Sequence, residues 1–194
     1  MRAYKSITKE AVLAAHKNVV ADPKYGSYGD IENTLYSKYG KNDDIAIIAM
    51  KLAYIDQTNS TNFRMNGDFT IAHLASYIAN IDFDNRVKHY DSNLVEEIAS
   101  ANKNRRNLSL ASKYCTYHNH NVYKRDDYAI YDSVVREGLK YYLNQIGINT
   151  KRHPLDDYGN YYEAINKLIE HHSLEGLESP RRYLDHFIWW NNRK

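Results

Sequence analysis

Asn107-Leu108-Ser109-Leu110-Ala111-Ser112-Lys113-Tyr114-Cys115, followed downstream by Tyr128-Ala129-Ile130-Tyr131-Asp132-Ser133-Val134-Val135, is the pair of segments that decides how this chain is read. The first segment reads as a helix carrying one lysine. The second reads as an apolar approach to an aspartate, a favoured residue at a helix start because its carboxylate accepts the first-turn amides. Each half has two readings. Lys113 is either a solvated lysine on an amphipathic helix or a nucleophile activated by burial and by nearby cations such as Arg105 and Arg106. Asp132 is either an ordinary N-cap or an ionised carboxylate that stabilises a developing cation.

Outward from these segments, apolar residues recur at helical spacing and rarely alternate. The pattern predicts a helix over Thr8–Val20, a loop over Asp22–Gly29 that is rich in turn formers, and a short helix over Asp30–Tyr39 closed by Gly40. Asp43 or Asp44 caps Ile45–Ile55, which is apolar nearly all round and is therefore expected to be the central buried helix. Asp68 is expected to cap Phe69–Ile81, and Ser92 a helix ending near Ala101. The lysine helix runs from Leu108 to about His118. Asp132 opens a helix to Ile146 with Gly147 behind it, and a further helix spans about Tyr158–His172. Ser179-Pro180 marks the start of the last helix. No strand pattern of comparable quality occurs. The expectation is all-α, eight to ten helices, forming a single domain over 1–194 of two small lobes.

The net charge of +2 is too small for a general nucleic-acid coat, so only local basic clusters count: Lys103-Arg105-Arg106, Lys124-Arg125, Lys151-Arg152 and Arg181-Arg182. Tyrosine is over-used, 19 against 4 Phe and 2 Trp, which suits half-buried positions that need a polar tip, or reflects AT-rich coding. Cys115 is the single cysteine, so no disulfide within the chain and no Cys-based metal centre is expected. Cys115, His118 and His120 have loose ligand spacing, but nothing shows convergence; no metal and no cofactor are expected. The start, Met1-Arg2-Ala3-Tyr4-Lys5-Ser6, lacks a signal-peptide core, and no run is long enough to span a membrane, so a cytoplasmic location is expected. The polar run Asp56-Gln57-Thr58-Asn59-Ser60-Thr61 is either a helix-end loop or a group in which Gln57 and Asn59 reach a nucleic-acid duplex.

Together these features resemble the helix–hairpin–helix superfamily of base-excision DNA glycosylases, the endonuclease III and 8-oxoguanine glycosylase group. Ile45–Ile55 with Gln57-Thr58, Leu108–Tyr117 with Lys113, and Ala129–Val135 with Asp132 follow the family's order, and the similarity covers a core of about 43–146. The family's hairpin is glycine-rich; this chain has no glycine from Asn107 to Ser112, so the hairpin is altered or absent. The resemblance implies base flipping from double-stranded DNA, attack by Lys113 on the sugar C1′, and stabilisation of the cationic sugar by Asp132. It also implies DNA contacts by Gln57, Asn59, Arg105, Arg106 and Ser109, and a base pocket with Tyr114 and Tyr117. The competing expectation is a non-catalytic relative that binds nucleic acid or a partner protein.

Overall fold

Helix caps account for most of the element boundaries in the computed structural model, which describes residues 4–151 and 154–193, without the Arg64 side chain. Met1–Ala3 and Arg152 of the Lys151-Arg152 pair lie outside the described residues. Among the described residues the chain is all-α, with ten α-helices, one 3-10 helix (Phe63–Asn66) and no strand. None of these helices is long and apolar enough to cross a membrane. The chain divides into two compact units: residues 1–29 with 129–194, and residues 30–128.

The first unit holds α1 (Lys9–Ala21), α8 (Ser133–Gln145), α9 (Tyr158–His171) and α10 (Pro180–Asn192). Thr8, Asp132 and Asp157 accept first-turn amides as N-caps, and Gly147 takes the left-handed conformation (φ +77°) beyond α8. Val12, Leu139, Ile165, Leu168, Leu184 and Phe187 fill the core between these helices. Tyrosines bury their rings here and spend their hydroxyls on loop carbonyls, which explains part of their abundance. Tyr161 donates to Ile130 O (2.7 Å) and Tyr158 to Ala129 O (2.9 Å). The α8–α10 crossing depends on Gly138, where a Cβ would stand 2.6 Å from Cγ2 of the buried Ile188. Gly138→Ala should therefore lower stability despite the ~1 kcal/mol that alanine gains within a helix; the expected net loss is about 1–2 kcal/mol by chemical denaturation.

The second unit holds most of α2 (Pro23–Lys38), then α3 (Ile45–Asn59), α4 (Ile71–Ala79), α5 (Phe83–Lys88), α6 (Leu94–Ala99) and α7 (Leu108–Tyr123). Helices α3, α5 and α6 pack on α7, and α4 packs on α3 and α6. Several expected boundaries are corrected. Asp22–Gly29 is not a loop: Asp22 Oδ1 accepts from the amides of Lys24 (3.0 Å) and Tyr25 (3.2 Å), and Pro23 sits at the first helical position, so the turn-like composition is a helix start. The helix expected from Asp68 is opened by Thr70, paired with His73 in a capping box. Asp91, not Ser92, braces the start of α6 by accepting from Asn93 N, and α5 precedes it unforeseen.

The central buried helix is α7, not α3. Helix α3 buries one face (Ile48, Lys51, Leu52, Ile55) and leaves Ile45 and Met50 exposed. Helix α7 buries residues on every side, including Ser112, Lys113, Thr116, His118, Asn119 and Asn121. Its polar groups tolerate burial where they are paired: Asn121 donates to Glu32 Oε1 (2.6 Å), and Asn119 to Asp127 Oδ2 (2.9 Å).

Candidate functional site

The turn before α7 replaces the expected hairpin and needs no glycine, because no residue from Ser100 to Asn107 has positive φ. Asparagines hold it instead. Asn102 Oδ1 accepts from Asn104 N (3.0 Å), Asn102 Nδ2 donates to Asn66 Oδ1 (3.1 Å), and Asn107 N donates to Ala99 O (2.8 Å). Leu108 then begins α7, and Lys113 lies in its second turn.

Lys113 is not a solvated lysine. It is 3% exposed, and its Nζ donates to Ser109 Oγ (2.8 Å) one turn earlier. Ser109, Lys113 and Tyr117 follow one another at four-residue spacing, so they form one stripe of α7. Tyr117 donates to Asn59 Oδ1 (3.0 Å), which ties the last turn of α3 to that stripe. The helix runs through Asn59, so Gln57 is an exposed helical residue rather than part of a loop. Among the expected site residues the second unit thus brings together Ser109, Lys113, Tyr117 and Asn59.

Other expected residues stand elsewhere. Tyr114 points away from the lysine stripe; it is fully buried, with its ring against Phe83 and its hydroxyl on Asn42 Oδ1 (2.5 Å). Arg106 is held by both carboxylate oxygens of Glu96, and Arg105 is half-buried in the turn. Asp132 belongs to the first unit, where its Oδ1 accepts from Val134 N (2.8 Å) and Val135 N (3.4 Å). Cys115 is buried and its thiol is pushed far up by burial, so it is no thiolate nucleophile. No group of three or more His, Cys, Asp or Glu that could hold a metal occurs among the described residues.

A second constellation escaped sequence reasoning. Asn42 lies at the centre of a buried network in the second unit. Its Oδ1 accepts from Lys51 Nζ (3.0 Å) and Tyr114 OH, and its Nδ2 donates to Asp84 Oδ1 (2.5 Å) and His118 Nδ1 (3.1 Å). With Nδ1 accepting, the neutral His118 ring carries its proton on Nε2, 3.1 Å from Asp84 Oδ1. Lys51 Nζ also donates to Lys41 O (3.1 Å) and lies 5.1 Å from the centre of the Tyr36 ring. Burial pushes the His118 ring below its ordinary value; Lys51 adds to this and Asp84 opposes it. Burial works to raise the Asp84 carboxyl, but the adjacent His118 ring and hydrogen bonds from the side chain and backbone of Asn42 outweigh it and hold it at about 2. The one visible signal was Lys51, the single charge within Ile45–Ile55.

Burial drives the Lys51 ammonium down to about 8, against the pull of Asp84 and Asp43. The unfolded chain binds this proton up to about pH 10.5, so between about 8 and 10.5 it holds more protons than the folded chain. Stability tied to Lys51 is therefore fully present above that window and is lost as pH falls to about 8, by an amount on the order of 3 kcal/mol. Buried Tyr36 and Tyr114, whose hydroxyls are pushed up by burial, oppose this above about pH 10. Burial of the Cys115 thiol and of the tyrosine hydroxyls costs both chains stability as pH rises, so the prediction is a difference: from pH 8 to pH 9.8 the wild-type chain should gain about 2 kcal/mol relative to Lys51→Met by chemical denaturation.

The sequence pattern of the HI_0787_N family, described as an N-terminal domain, matches residues 9–123. The match runs from α1 through the end of α7, takes in Lys113 and the Asn42 network, and stops before Asp132. No curated protein and no solved structure matches the chain.

Proposed function

We propose, for a chain that belongs to the HI_0787_N family of N-terminal domains, a base-excision DNA glycosylase with abasic-site lyase chemistry carried by Lys113. The observation that carries the reading is the burial of Lys113 beside Ser109 on the helix where the glycosylase resemblance expects a nucleophile. Burial at 3% exposure keeps water from the amine, the kind of setting that favours an unprotonated lysine. The Ser109–Lys113–Tyr117 stripe, with Asn59 against it, supplies donors and acceptors along one face of α7, and Gln57 is exposed in the last turn of α3.

The reaction follows from an amine beside a sugar. Lys113 Nζ, as the unprotonated amine, forms a bond to C1′ of a nucleotide whose base has been flipped out. The C1′–N glycosidic bond breaks, and the base leaves with the bonding electron pair and takes up a proton. Of the two amine protons, one goes to the departing base and the other to O4′ as the C1′–O4′ bond breaks and the nitrogen lone pair closes a C1′ Schiff base. Ser109 Oγ orients the amine. The glycosylase resemblance, by sequence order alone, assigns the carboxylate for the cationic sugar to Asp132.

The test is release of base from duplexes carrying oxidised, alkylated or deaminated bases, with strand cleavage read in parallel. Release by the wild-type chain is expected, and Asp132→Asn should keep the fold, because asparagine caps helices as well as aspartate, while activity falls by about 10²-fold. Salt-dependent duplex binding without release from any substrate favours the non-catalytic nucleic-acid-binding reading.

A further inference from the structure

A groove of about 590 Å³ opens in the second unit along α4 and the turn before α7, within the range of roughly 300–1,000 Å³ typical of ligand clefts. Its apolar part is aromatic. Phe69 and His73 lie near-parallel with centroids 5.8 Å apart, and Tyr77 follows His73 one turn along α4. Tyr77 is fixed by its bond to Glu97 Oε1 (3.1 Å), which in turn is held by Arg86 (2.6 Å). The groove therefore presents three aromatic side chains, of which Tyr77 is anchored, and such rings are surfaces on which planar ligands stack.

Around that platform several polar groups have no protein partner among the described residues. The exposed Asn104 side chain has neither its amide protons nor its carbonyl engaged, because only its backbone N–H is bonded. Asn80 uses its amide on Ser76 O (2.7 Å) and leaves Oδ1 open. His73 uses Nδ1 on Thr70 and leaves Nε2 open. A carboxamide with both ends available matches the paired donor and acceptor of adenine. Asp68 is the one Asp, Glu, Lys or Arg among the groove's lining residues; Glu97 behind Tyr77 is neutralised by Arg86, and Lys103 and Arg105 flank Asn104 in the chain without lining the groove. An uncharged ligand is favoured over a phosphate.

We propose that this groove binds adenine as an uncharged base or nucleoside, with the ring on the Phe69–His73–Tyr77 platform and its edge on Asn104. The site is separate from the Lys113 stripe and does not rest on the glycosylase reading.

The experiment is an NMR titration of the full chain with adenosine, adenosine 5′-monophosphate, a short single-stranded oligo-dA and methyl glucoside, reading the Phe69, His73 and Tyr77 ring signals. Adenosine should shift these signals and bind about fivefold tighter than the monophosphate, the size of one like-charge contact in water. Asp68→Asn should remove that difference. Asn104→Ala and Phe69→Ala should each weaken adenosine binding by about fivefold or more, while Lys113→Gln leaves it unchanged. Oligo-dA binding tighter than adenosine would overturn the uncharged-ligand assignment. So would methyl glucoside binding as well as adenosine, no shift at about 10 mM adenosine, or unchanged affinity in both Asn104→Ala and Phe69→Ala.

Discussion

Asn42→Ala should cost about 3–5 kcal/mol of unfolding free energy, the largest stability loss expected from a single polar side chain here. Its carboxamide satisfies four side chains: Lys51, Tyr114, Asp84 and His118. Truncation removes one acceptor from a buried ammonium and the acceptor of the Tyr114 hydroxyl. It also strips the Nδ2 hydrogen bond from Asp84 Oδ1, leaving Asp84 the backbone N–H of residue 42 on Oδ2 (3.0 Å). Asparagine thus supports a buried lysine, and losing it exposes the cost of that burial. Lys51→Met in the same background should recover part of the loss, because the ammonium that needed the acceptor is gone. Urea denaturation of the two single variants and the double variant reads this directly. A loss below about 1 kcal/mol for Asn42→Ala would show the network to be loosely solvated.

Lys113→Gln should lower base release or strand cleavage by roughly 10³-fold or more while the melting temperature stays close to that of the wild-type chain. Glutamine keeps a polar tip for Ser109 and fits a similar volume, so packing on α7 is conserved. Lys113→Arg separates two roles for the cation. Arginine restores the charge but does not form a Schiff base, so it should not rescue lyase activity; recovery by arginine would assign Lys113 to electrostatics alone.

Local rules made much of the fold legible in the sequence. Thr8, Asp44, Asp132 and Pro180 mark helix starts through chemistry confined to a few neighbouring residues, and each stands where the capping rules put it. Asp22-Pro23 failed as a loop signal because the same two residues serve turns and helix N-termini alike; only the chain after Pro23 decides, and Gly26 and Gly29 were misleading there. The burial order of α3 and α7 was also invisible. Apolar content measures what a helix can bury, whereas α7 is buried because distant side chains such as Glu32 and Asn42 satisfy its polar groups. Contacts between residues 42 and 118, or 59 and 117, leave no local pattern.

The candidate site was legible to a similar depth. The lysine and its helix followed from spacing, whereas its burial, 3% exposed and bonded to Ser109, was not visible there. Tyr114 and Tyr117 looked equivalent in sequence, but a one-helix stripe separates them: 113 and 117 share a face, while 114 and 118 turn toward Asn42. The missing hairpin glycines had a conformational explanation, since a turn without left-handed residues has no need of them.

The most direct test of the proposed chemistry is borohydride trapping on a duplex with an abasic site, followed by peptide mapping of the adduct. The account predicts one covalent protein–DNA species, attached at Lys113 and absent in Lys113→Gln. Absence of any adduct, or an adduct at another lysine that persists in Lys113→Gln, would contradict it.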